Sequence, residues 1–123
     1  MPVLLSRRSV SALLLASLIA LPSRVRAHAV IVSAAPPPGA VVHGANLSVL
    51  LRFNSRIDHQ RSRLTLVRPD ASSVSLPLAA SDSPDTLAAE ANGLKPGRYR
   101  LRWQVLAIDG HITRGDIPFE IAP

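Results

Sequence analysis

Between residues 98 and 108 the chain switches chemistry at every step. Tyr99, Leu101, Trp103, Val105 and Ala107 share one parity, and Arg98, Arg100, Arg102 and Gln104 share the other. A helix with 3.6 residues per turn would scatter that pattern around its circumference, whereas a strand sends successive side chains to opposite faces. The segment therefore reads as a long strand with an apolar face turned to a core and a basic face turned to water. One such strand is not stable alone, so the chain has to provide partners for it.

The partners show the same period. Residues 47–53 place Leu47, Val49, Leu51 and Phe53 on one face, and residues 63–67 repeat the pattern with Leu64 and Leu66. Residues 28–34 read as a first strand, stopped by Pro36-Pro37-Pro38-Gly39, where three prolines have no N–H to give a ladder. Arg68-Pro69-Asp70 turns the chain toward a weaker strand at 73–78. Residues 86–91 suit a strand, although their alanines equally suit a helical turn, and after the loop at 92–97 and the long strand, residues 117–121 supply the last. Six or seven short strands at intervals of about ten residues, with almost no helix signal, predict an all-β protein: an antiparallel β-sandwich or small barrel with Greek-key connections. Loops of a sandwich gather at its two ends. Residues 109–115 should lie at one of them, and the start of the first strand is a candidate for the same end.

Residues 1–27 have the three parts of a secretory signal: Arg7 and Arg8, an apolar stretch over 10–21, and Val25 and Ala27 three places and one place before a cut. The apolar stretch is shorter than the roughly 20 residues of a membrane-spanning helix, so cleavage after Ala27 is expected rather than retention as an anchor. Ser6-Arg7-Arg8-Ser9-Val10 resembles a twin-arginine signal, which leaves the general secretory and twin-arginine routes both open. What remains is one domain, residues 28–123. Its net charge falls from +6 to +2, because four arginines leave with the leader and take 14 basic residues to 10 against 8 acidic ones. With two Phe, one Tyr and one Trp there is no set of aromatics for stacking bases, so nucleic acid is not an expected partner.

The chain has no cysteine, and its one methionine is Met1, which departs with the leader. An exported domain of this size must then hold together by its apolar core alone. The lack of sulfur also limits metal chemistry, since blue-copper sites need Cys and copper(I) sites favour Cys or Met; what remains is a site of nitrogen and oxygen donors. Cleavage after Ala27 would expose His28 as the first residue, whose α-amine and Nδ1 can close a chelate ring on a metal. Far along the chain, Asp109-Gly110-His111 offers a carboxylate and an imidazole that a glycine bend can aim at one point. Two imidazoles, an amine and a carboxylate form a tetragonal set suited to copper(II). On its own Asp-Gly-His is also ordinary turn chemistry. His43, in the segment after the proline run, and His59, in Asp58-His59-Gln60, read as solvated loop histidines unless their loops fold over the same end.

Taken in order, these residues resemble the CopC/PcoC family of periplasmic copper-resistance proteins. The resemblance runs from His28-Ala29 through Ser33, Pro36, Gly39-Ala40, Phe53-Asn54, Leu94, Gly97, Tyr99, Trp103 and Asp109-Gly110-His111 to Gly115 and Phe119. It implies a cupredoxin-like or immunoglobulin-like sandwich that binds one copper(II) per chain in the periplasm, buffering the ion or handing it to an inner-membrane partner of the CopD type. It puts the metal on His28, Asp109 and His111. The family's methionine-rich copper(I) site has no counterpart, Arg52 stands where some relatives offer another His, and Ala107 and Ile112 replace a frequent Ser and Pro. Two other readings stay open: a metal-free interaction module of the cell envelope, and a copper-dependent oxidative enzyme. The second fits less well, since such enzymes are usually larger, disulfide-bonded and studded with surface aromatics.

Overall fold

The structure, a computed structural model, describes residues 29–123. The leader expected at 1–27, and His28 with it, lie outside the described residues. Eight strands and no helix make up the rest: β1 (Ile31–Ala35), β2 (Ala40–His43), β3 (Leu47–Phe53), β4 (Ile57–Val67), β5 (Ser73–Leu76), β6 (Thr86–Ala91), β7 (Gly97–Ala107) and β8 (Ile112–Ala122). They form two sheets, ordered β1-β3-β6 and β2-β8-β7-β4-β5, that face each other as a Greek-key sandwich. Among the described residues no helix is long and apolar enough to cross a membrane.

The alternation in β3 and β7 does what its period requires. Leu47, Val49, Leu51 and Phe53 point inward from the smaller sheet, and Tyr99, Leu101, Val105 and Ala107 point inward from the larger one, all buried. Leu64 and Leu66 of β4, Leu87 and Ala89 of β6, and Ile117, Phe119 and Ile121 of β8 complete the layer. Each fully buried Leu, Ile or Phe contributes about 1.5–3 kcal/mol, and this core replaces the disulfides that the chain lacks. Two aromatic pairs lock it. Trp103 packs edge-on against Phe53 across the sheets at 5.4 Å, and Tyr99 stacks on Phe119 at 5.6 Å while its hydroxyl donates to the carbonyl of Lys95 at 2.7 Å.

Four elements depart from the sequence reading. β2 is a strand where a loop was expected, and it joins β8 in parallel, so the larger sheet is mixed. β8 begins at Ile112 and runs for 11 residues, which shortens the expected end loop from residues 109–115 to a tight turn. β4 begins at Ile57, six residues before the expected strand, and absorbs Asp58-His59-Gln60. The first strand, expected from residue 28, starts at Ile31, and its register against β3 shifts between Ile31 and Ser33.

Candidate metal centre

The turn between β7 and β8 is built by its own side chains. Gly110 has φ +93°, a conformation that L side chains rarely adopt, and it carries the chain around Asp109 and His111 with Ala107 N–H bonded to the carbonyl of His111 at 2.8 Å and Gly110 N–H to that of Ala107 at 2.9 Å. One carboxylate oxygen of Asp109 accepts the backbone N–H of His111 at 3.1 Å, and the other lies 2.8 Å from Nδ1 of the same ring. Partial burial of the Asp109 carboxyl works to raise its pKa, but the bonds from the His111 backbone and ring outweigh it and hold the group below the ordinary carboxylate value. Asp109 thereby fixes the ring through Nδ1, which leaves Nε2 as the nitrogen turned away from the carboxylate.

The N-terminal segment is fastened to this same end. Ala29 is buried at 2% exposure, and its carbonyl accepts the hydroxyl of Thr113, two residues past His111, at 3.0 Å. Val30 is held from the other side by Asn54, whose side-chain oxygen accepts the Val30 N–H at 2.8 Å and whose N–H donates to the Val30 carbonyl at 2.9 Å. Thr113 and Asn54 were not among the site residues expected from sequence. Asn54 entered only as part of the family pattern, and Thr113 only as one residue of the loop expected at 109–115.

Among the described residues, Asp109 and His111 are brought together, and no group of three or more His, Asp or Glu side chains is gathered for a metal. The third residue of the expected set, His28, lies outside the described residues. The other two histidines are placed elsewhere. His43 ends β2 opposite Ala122, at the far end of β8 and about 35 Å of strand from His111. His59 is neither in a turn nor solvated: it is half-buried in β4, and its Nε2 lies 2.7 Å from the carbonyl of Thr86 in the opposite sheet. That bond ties the two layers. Arg52 sits at the edge of the same end, loosely paired with Asp85 at 4.0 Å.

Comparison with known proteins gives a consistent family. Residues 31–122 match the family model of the CopC domain. Protein YobA of Escherichia coli strain K12 is 31% identical over 100 residues, which cover 79% of this chain and 81% of YobA. Among solved structures, CopC from Methylosinus trichosporium OB3b superposes with a TM-score of 0.71 at 28% identity, over 78% of this chain and 95% of that one. PcoC of Escherichia coli, described as a methionine-rich copper resistance protein, superposes with a TM-score of 0.63 at 22% identity over 78% and 100% of the two chains.

Proposed function

The chain belongs to the CopC domain family, and from that premise we propose that it is a periplasmic copper(II)-binding protein of copper homeostasis, a carrier rather than an enzyme. The observation that carries the reading is the fastening of Ala29 to Thr113. It holds the residue after position 28 two places from His111, so the one peptide unit that precedes Ala29 spans about 3.8 Å from Cα to Cα. With the leader removed after Ala27, the amine and imidazole of His28 would join His111 and Asp109 around one copper(II) ion per chain. The donors suit that ion. Nitrogen and oxygen ligands without sulfur favour copper(II), and the Asp109–His111 hydrogen bond is the kind of support that orients a ligating imidazole. Asp109 would serve either as a ligand, giving up its bond to Nδ1, or as the residue that orients His111.

A carrier of this kind would release copper by protonation and ligand exchange. Delivery to an inner-membrane partner of the CopD type would follow from that, and the route of export stays with the leader. Electron paramagnetic resonance of the copper-loaded domain beginning at His28 should give a tetragonal type 2 signal with nitrogen couplings, and His111→Ala should remove most of the copper(II) affinity. An unchanged isotherm in His111→Ala would sink the proposal. Every nitrogen ligand must lose its proton before it binds, so affinity should also fall on acidification, as titration calorimetry at several pH values would record.

A further inference from the structure

The outer face of the larger sheet is charged in a way that the rest of the described residues are not. Arg98, Arg100 and Arg102 of β7, Arg63 of β4 and Arg114 of β8 all project from it, against Asp116 and Glu120. That is five positive charges to two, whereas the remaining described residues carry five basic and six acidic groups. The guanidiniums lie on adjoining rungs: Gln104 has Arg63 on one side and Arg114 on the other, and Arg102 lies between Thr65 and Asp116. Asp116 is engaged by Arg102 at 3.0 Å and Arg100 at 3.5 Å, while Arg63, Arg98 and Arg114 enter no ion pair with the described residues. No described element packs on this face, and beside Arg68, Arg98 and Arg100 it deepens into a cleft of about 510 Å³.

We propose that this face docks on an anionic phospholipid bilayer. Strand spacing of about 4.8 Å and a same-face repeat of about 6.8 Å set the arginines in a two-dimensional array across three strands, a broad basic surface to set against the phosphates of a lipid headgroup layer. Arginine's planar fork pairs bidentately with phosphate. Duplex nucleic acid offers phosphates on a curved cylinder, and this face has no aromatic ring to read bases, so the bilayer is the better fit. At the end near the β7–β8 turn the face becomes apolar. Leu106 and Ile112 pair there, Ile112 is 53% exposed, and neighbouring Ile108 is 70% exposed, which supplies the apolar contact that a purely electrostatic association lacks. The inference stands on charge and shape and holds whether or not copper binds.

Flotation with vesicles tests it. The domain should float with an equimolar mixture of phosphatidylcholine and phosphatidylglycerol, should not float with phosphatidylcholine alone, and should be released in molar salt, where the screening length is about 3 Å. The triple variant Arg63→Gln/Arg98→Gln/Arg114→Gln should partition about a hundredfold more weakly, from a factor of about five per arginine. The variant Arg52→Gln/Arg56→Gln/Lys95→Gln loses the same net charge from other surfaces and should bind nearly as the parent does. Arg98→Gln alone, expected to weaken partitioning about fivefold, keeps the test open should the triple variant fail to fold. Equal binding to both vesicle types would overturn the proposal. So would equal weakening of the two triple variants, or displacement from vesicles by a DNA duplex at matched phosphate concentration.

Discussion

Two glycines in the last hairpin are required for different physical reasons. At Gly115 the reason is space. A Cβ there would stand 2.7 Å from Cζ2 and 2.9 Å from Cε2 of Trp103, its partner across the ladder, and the indole cannot retreat because fully buried Phe53 lies behind it. Gly115→Ala should therefore destabilise the domain by about 1–3 kcal/mol, read from the midpoint of denaturant unfolding at unchanged slope. Unchanged stability would mean that the indole shifts at no cost. At Gly110 nothing lies within 4 Å of a built Cβ, and the constraint is the backbone at φ +93°. Gly110→Ala should cost about 1–2 kcal/mol, and, on the proposed function, it should weaken copper(II) binding by disturbing the turn that holds Asp109 against His111. Residue identity made Asp109 and His111 legible in the sequence, since a carboxylate and an imidazole around a glycine announce themselves. Thr113 and Asn54 were not legible as clamps, because a hydroxyl or amide that bonds to a backbone 84 or 24 residues away is defined by the fold and not by its neighbours in sequence.

Strands were legible where the alternation was unbroken and hidden where it changed phase. β3 falls on the residues that its period marked, and β6 on the segment whose alanines equally suited a helical turn. In β4 the inward residue is Ile57 before the irregularity between Asp58 and Arg63, Ser62 within it, and Leu64 and Leu66 after it, so the parity flips inside one strand and only its second half looked like a strand. The bulge is held by side chains. Asp58 accepts the N–H groups of Gln60 and Arg61, and the buried Ser62 hydroxyl donates to the Asp58 carbonyl at 2.6 Å while accepting the N–H of Leu106 at 3.1 Å. Ser62→Ala would leave both backbone groups short of a partner and should cost about 1–3 kcal/mol in an unfolding titration. β2 was missed for another reason: four residues between a proline run and Gly44 carry no period, and the strand exists by pairing in parallel with β8. On the β7–β8 ladder, hydrogen bonds from Arg102 lead the causes that hold the Asp116 carboxyl below its ordinary value; desolvation opposes them, and the Arg102 charge and the Arg100 guanidinium add to the lowering. A lowered native pKa means that this stabilisation is present above the unfolded value of about 3.9 and is lost as pH falls through the native one. Melting temperature should thus be insensitive to this group between pH 5 and 8, and it should fall on acidification below about pH 4. Asp116→Asn should flatten that acid limb, and an unaltered limb in the variant would assign it to other carboxylates such as Asp70, also lowered, chiefly by its bond from Ser72.

The two-sheet body works as a frame that brings residues 29 and 30 to the β7–β8 turn. The two sheets are joined by the Phe53–Trp103 contact and by His59 reaching Thr86, and at that same end Asn54 and Thr113 hold Val30 and Ala29 from both sides. These clamps act on backbone atoms after position 28, so they survive any change to what precedes it. Folding and metal binding should therefore separate cleanly in one comparison. A domain that begins at His28 and one that carries a single additional residue before it share every clamp and should melt at the same temperature. Only the first has its free amine on His28. On the proposed copper(II) site, the extended form exchanges an amine ligand for an amide and should bind copper(II) more weakly by about tenfold or more, equivalent to about 1.4 kcal/mol. Competition titration against a chromophoric chelator measures the difference, and a melting curve of each metal-free form checks the frame. Equal affinities with equal melting temperatures would remove the amine from the site and leave copper(II), if bound at all, to the imidazoles and Asp109. A lower melting temperature in the extended form alone would instead show that the N-terminus is part of the packing, with Ala29 as its buried end.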